Sequence, residues 1–123
     1  MIGYVLFGTK DLKKAATLYD DLAAAIGGER KMELENNITW GGPQGVWIGV
    51  TDKTANGEPP SVGNGVMAGI NVGDTATVDK LHKIAMDHGC QDEGGPGERR
   101  PGFYAAYFRD LDGNKLCAVH ISH

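Results

Sequence analysis

The stretch RDLDGNKLCAVH, residues 109–120, places one thiol and one imidazole just behind a tight polar turn. Asp112-Gly113-Asn114 is a turn signal, and the apolar run after it has strand character. A thiolate nucleophile needs a lowered pKa, commonly supplied by a neighbouring imidazole or cation. Cys117 and His120 lie three positions apart, so on a strand of period two they point to opposite faces. His120 and His123 separate in the same way. His82 and His88 are six apart on a helical stripe, not at the i, i+4 spacing that brings two imidazoles onto one ion. The histidines therefore read as surface or packing groups, His88 near a helix C-terminus that favours it. Arg99 or Arg100 could reach Cys117 instead. The plainer reading of Cys117 is a small buried hydrophobe.

Both arginines belong to EGGPGERRPG, residues 93–102. This segment lacks the GxxxxGK[ST] order of a phosphate loop and leads into a strand, not a helix N-terminus. It reads as a loop, either gating a site and pairing with a carboxylate or phosphate, or simply solvated. Tyr4, Trp47, Phe103, Tyr104 and Tyr107 fall on strand candidates, where aromatics serve a core or an organic-ligand pocket.

The elements that must position these groups follow from periodicity. MIGYVLFG is a strand apolar on both faces, which predicts burial on both. Asp11 offers an N-cap, and Leu12, Ala15, Ala16, Tyr19, Leu22, Ala23 and Ile26 recur at helical spacing until Gly27-Gly28. Strand candidates follow around Arg30–Leu34, Ile38–Gly41 and Gly45–Val50, separated by Asn36-Asn37 and Gly42-Pro43-Gln44-Gly45. The polar, Gly- and Pro-rich residues 51–65 have hinge composition. The pattern then restarts: VMAGINVGD, a helical stripe of Val78, Leu81, Ala85 and His88 closed by Gly89, the Gly/Pro/Arg loop, FYAAYFRD, the turn, and KLCAVHIS. Aligning Asp11 with Asp74 gives an offset of 74 − 11 = 63 and pairs Tyr4 with Met67. The chain is thus β-α-β-β-β twice over, and internal duplication constrains a fold strongly.

Composition narrows the function classes. The 123 residues suit one domain, with hydrophobic residues at 41% and charged residues at 23%. No stretch approaches the roughly 20 apolar residues of a membrane span, and the N-terminus has no basic lead-in of a signal peptide. Cys90 and Cys117 stand 27 positions apart without CxxC spacing, so no disulfide framework is expected. The net charge of −4 and scattered basic residues argue against a nucleic-acid footprint. A cytoplasmic protein is expected.

The paired modules, with GTKDLKKAATLYDDL opening the first and YFRDLDGNKLC closing the second, resemble the vicinal oxygen chelate superfamily of glyoxalases, bleomycin resistance proteins and extradiol dioxygenases. The resemblance covers essentially the whole chain. It implies an α+β fold of two βαβββ modules forming a cupped mixed sheet: module 1 over residues 1–52, a hinge over 53–63 and module 2 over 64–123. It also implies a metal held by the first and fourth strands of each module. Carried over, these positions are Tyr4, Met67, Cys117 and either Trp47 or Gly49, none of them His or carboxylate. No cofactor is therefore expected, since divalent ions want oxygen, imidazole or several thiolate ligands.

The functional expectation is a glyoxalase/bleomycin-resistance-like protein, binding a small organic molecule in an aromatic-lined cup without the divalent metal. The ligand-binding candidates are Tyr4, Trp47, Met67, Arg99, Arg100, Tyr104, Tyr107 and Cys117. Whether it is an enzyme is open. A lyase or isomerase related to lactoylglutathione lyase, or a dioxygenase-like enzyme, would need unrecognised metal ligands or a metal-free mechanism with Cys117 and Tyr4 as catalytic groups. A structural dimer with a filled cup is the third reading. A homodimer is expected, with no nucleic-acid or membrane partner.

Overall fold

The computed structural model describes residues 2–42, 45 and 47–122, and of Trp47 the backbone alone. Pro43 and Gln44 of the expected second hairpin turn, and His123, lie outside the described residues. The chain divides into two compact units, Met1–Gly63 and Asn64–His123. In the first, β1 (Tyr4–Gly8), α1 (Leu12–Ala25), β2 (Glu29–Glu33), β3 (Asn37–Gly41) and β4 (Trp47–Thr51) follow in order. The second repeats them as β5 (Met67–Asn71), α2 (Thr75–Asp87), β6 (Gln91–Arg100), β7 (Phe103–Arg109) and β8 (Lys115–Ile121). Each unit carries a four-stranded mixed sheet, ordered β1-β4-β3-β2 and β5-β8-β7-β6. The first strand of each pairs in parallel with the last, and the other pairs are antiparallel. The α+β class and the duplicated βαβββ order are those the sequence implies.

Matching local signals set both helices. Asp11 Oδ1 accepts from the Lys14 amide at 3.1 Å, and Asp74 Oδ1 from the Thr77 amide at 2.8 Å, each satisfying an amide the helix leaves orphaned. At the other ends Gly27 (φ +76°) and Gly89 (φ +84°) take the left-handed conformation. That turns Gly28 N–H onto the Ala23 carbonyl and Cys90 N–H onto the Ala85 carbonyl, at 2.8 and 3.0 Å.

Each helix covers one face of its own sheet. In the first unit Ala15, Leu18, Tyr19 and Leu22 bury with Phe7, Ile38, Trp40 and Val50. Tyr19 stacks on Trp40 with ring centroids 5.4 Å apart. The Trp40 indole N–H donates to Asp20 Oδ1 at 2.7 Å, and Arg30 Nε and Nη2 hold the two oxygens of that carboxylate at 2.8 Å each. In the second unit Val78, Leu81 and Ala85 bury with Ala106, Phe108, Leu116 and Ala118.

The Arg30 hydrogen bonds, aided by that from Trp40, hold the Asp20 carboxyl below its ordinary range against the raising effect of partial burial. An unfolded Asp titrates near about 3.9, so this stabilisation is full above that value and fades as pH falls through the lower folded one. Asp20→Asn should therefore flatten the acid limb of the stability profile, measured by urea unfolding from pH 6 to pH 2.

Two expectations are corrected. β1 is not buried on both faces: Phe7 is buried, while Tyr4 is 61% and Leu6 39% exposed. It is an edge strand covered by a helix on one side only, so its alternate apolar residues face out. And residues 93–102, expected as a loop, form most of β6 and the turn after it. Its glycines and proline are tolerated because β6 is an edge strand broken by register shifts. Residues 53–63, of hinge composition, belong to the first unit. There Pro60 Cβ sits 2.6 Å from where a β-carbon on Gly8 would stand.

Candidate functional site

The site builds on the face of the second sheet that α2 leaves uncovered. Alternation along β7 sends Phe103, Ala105, Tyr107 and Arg109 to this face and Tyr104, Ala106 and Phe108 to the helix. β8 adds Lys115, Cys117 and Val119, and Met67 joins from β5, paired with Lys115. Ala105, Cys117 and Val119 form a buried cluster with Phe103 and Tyr107 packed against it.

β6 supplies two cations through its irregularity. Gly97 pairs with Ala105, Glu98 with Tyr104 and Arg100 with Phe103, so one extra residue enters between Glu98 and Arg100. A bulge of this kind brings successive side chains onto one face. The Arg100 guanidinium lies over the Phe103 ring at 4.0 Å and that of Arg99 over the Tyr107 ring at 5.3 Å. Arg99 runs back along its own strand, where Nη2 and Nη1 donate to the carbonyls of Gly95 and Gly97 at 2.6 and 3.2 Å. A β-carbon on Gly97 or Gly94 would come within 3.0 or 3.2 Å of that guanidinium. The glycines thus clear a track for the arginine. Lys115 Nζ completes the group, 5.6 Å from the centroid of the Tyr107 ring.

Cys117 lies beneath these groups, 2% exposed. Burial pushes its thiol up, against the lowering effects of a side-chain hydrogen bond with Tyr107 and the charges of Arg99 and Lys115. The balance leaves a neutral thiol at pH 7. Iodoacetamide should accordingly modify Cys117 more slowly than free cysteine at pH 7, the rate climbing only above the ordinary thiol range near about 8.5. Peptide mass spectrometry across pH checks this, and a rate at pH 7 above that of free cysteine would reveal an activated nucleophile. Cys90, also buried and unpaired with another cysteine, is pushed up to about 11 by burial and then by the Asp110 charge.

The structure thus gathers Met67, Arg99, Arg100, Tyr107 and Cys117 on one face. Tyr104 does not join them: its hydroxyl donates to Asp79 Oδ1 on α2 at 2.6 Å, which removes it from the ligand-facing set. Three positions separate it from Tyr107, and a strand of period two sends the pair to opposite sides. Tyr4 lies on the corresponding uncovered face of the first unit, and the backbone of Trp47 pairs with it in β4. Lys115 escaped sequence reasoning, although its position two residues before Cys117 on one strand places it on the same face. His120 faces α2's side of the sheet, as strand parity requires, and its Nδ1–H donates to the Val72 carbonyl at 3.0 Å. His82 Nε2 lies 3.0 Å from Asp92 Oδ1.

No family model and no curated relative matches the chain. Among solved structures, a glyoxalase/bleomycin resistance protein from Albidiferax ferrireducens T118 is 31% identical, with 99% of each chain covered and a TM-score of 0.90. The chain belongs to the glyoxalase/bleomycin resistance protein family. The fold is shared more distantly. A glyoxalase/bleomycin resistance protein/dioxygenase family enzyme from Burkholderia phytofirmans PsJN is 17% identical, with 98% of each chain covered and a TM-score of 0.75. A lactoylglutathione lyase from Agrobacterium tumefaciens is 21% identical, covering 98% of this chain and 92% of its own, with a TM-score of 0.69.

The strand registers decide which residue of β4 stands where Cys117 stands in β8. Gly69 pairs with Cys117 and Leu6 with Gly49, so Gly49 is the counterpart, not Trp47. A β-carbon there would meet the Ile38 carbonyl at 2.6 Å and Leu6 Cδ2 at 2.8 Å. Large and small have been exchanged between the units: Leu6 over Gly49 in one, Gly69 beside Cys117 in the other. The positions where the superfamily resemblance implies metal ligands hold a phenol, a thioether, a protonated thiol and no side chain at all. That donor set does not fit a divalent ion. Among the described residues no group of three or more His, Cys, Asp or Glu side chains comes together.

Proposed function

We propose that this protein binds a small organic ligand on the uncovered face of its second sheet, without a divalent metal and without chemistry at Cys117. The observation that carries this reading is the Tyr107 ring, with Arg99 and Lys115 set against it and Cys117 beneath. An aromatic surface with a few fixed polar groups is what organic ligands use. A thiol kept neutral by burial supports binding over catalysis. A homodimer is part of the proposal, its mass checked by analytical ultracentrifugation.

The test is a two-dimensional NMR titration of 15N-labelled protein with a panel of small aromatic compounds, in buffer containing EDTA. Saturable shifts at Phe103, Tyr107 and Cys117, kept in Cys117→Ala and lost in Tyr107→Ala, are expected. Binding or turnover that appears only after Zn²⁺, Ni²⁺ or Mn²⁺ is added would favour the metal-dependent lyase or isomerase reading. Loss of function on Cys117→Ala would favour a thiol enzyme.

A further inference from the structure

Arg109 on this face has Glu93 as its partner, but three other cations there have no carboxylate to answer them. Among the described residues, Arg99, Arg100 and Lys115 form no ion pair with Asp or Glu. The acidic groups on β6 are engaged or turned away. Glu93 holds Arg109 Nε at 2.5 Å, Asp92 accepts from the Gly94 amide at 2.9 Å and meets His82, and Glu98 pairs in register with Tyr104 on the helix side. The whole chain carries a formal charge of −4, so a face with three uncompensated cations runs against its overall balance.

The three are also held in place to different degrees. Arg99 is fixed at both terminal nitrogens by carbonyls of its own strand, and Arg100 and Lys115 rest on ring faces. Cation–π contact leaves their charge and most of their donors available. Beside them lie Met67, 47% exposed, and the half-buried rings of Phe103 and Tyr107. Arg99 and Lys115 both lie against the Tyr107 ring, 5.3 and 5.6 Å from its centroid.

We propose that the ligand of this face is a small organic anion, its charged group met by Arg99, Arg100 and Lys115 and its apolar body laid against Met67, Phe103 and Tyr107. The inference rests on the ligand-binding reading above and specifies its chemistry. Guanidinium groups suit planar, bidentate oxyanions, and the ammonium of Lys115 adds a movable point charge.

Benzoate, benzamide and benzyl alcohol share a ring and differ in charge, so calorimetric and NMR titrations with these probes separate the possibilities. Benzoate should bind about tenfold or more tightly than benzamide, the worth of one charge-assisted hydrogen bond, and should weaken as salt rises. Lys115→Met, which keeps the length of a half-buried side chain, and Arg100→Gln, at an exposed position, should each narrow that ratio by weakening benzoate more than benzamide. If benzamide matches benzoate, or the variants leave the ratio as it was, the anion inference fails and the ligand-binding reading stands. If none of the probes binds on this face at millimolar concentration, the ligand-binding reading fails and takes the inference with it.

Discussion

Trp40→Ala is expected to lower the stability of the protein by about 3–5 kcal/mol, the range for deleting a buried indole. Trp40 is 1% exposed and joins three kinds of contact. Its ring stacks on Tyr19, Arg30 lies above it at 5.9 Å, and its N–H completes the hydrogen bonding of Asp20. Truncation leaves a cavity under α1 that the flanking β-branched and aromatic side chains fill only in part. Domains of this size carry a margin of roughly 5–15 kcal/mol, so the variant should sit near the edge of folding. Trp40→Phe keeps most of the burial and loses the N–H alone, and should cost about 1 kcal/mol beyond any repacking. Urea unfolding followed by circular dichroism measures both. A loss under 1 kcal/mol for the alanine variant would mean that the first unit takes its stability from elsewhere.

Asp110→Ala comes second, at about 3 kcal/mol. Asp110 is buried, and Oδ1 accepts from the amides of Asp112 and Asn114 at 3.0 and 2.9 Å while Oδ2 accepts from the Asn114 side chain at 3.0 Å. Asn114 is buried as well, at 7% exposure, so losing the carboxylate strands donors that water reaches poorly. The turn also needs Gly113, whose φ of +95° is left-handed. Arg109 closes the other side by donating to the Gly113 carbonyl at 2.8 Å. Hydrogen exchange at the Asn114 amide should accelerate in step with the drop in unfolding midpoint. An unchanged midpoint would show the turn holding on its main-chain bonds alone.

That turn shows which parts of the molecule were legible beforehand. The Asp112-Gly113-Asn114 turn, the caps Asp11 and Asp74 and the stop glycines Gly27 and Gly89 announce themselves because each acts on neighbours within five residues. The duplication was legible for the same reason, through a fixed offset between two such caps. β6 was not, because its sequence carries glycine and proline where strand formers are expected. An edge strand can be held by its neighbour's hydrogen bonds, with glycines serving a guanidinium that crosses them. Exposure of β1 depends on what lies against its second face, which no local pattern records. Tyr104 and Lys115 are a different case, since counting by twos from Cys117 and Tyr107 assigns both. Composition drew attention to aromatic residues and away from a lysine.

The extra residue between Glu98 and Arg100 has a consequence for how such a face can change over generations. Deleting one residue there would restore regular pairing and take one positive charge off the face, leaving Arg100 opposite Phe103. Charge on the face can therefore be stepped up or down by single-codon insertions and deletions in an edge strand, where they disturb little else. Ligand preference in proteins built this way would drift by changes of length as readily as by substitution.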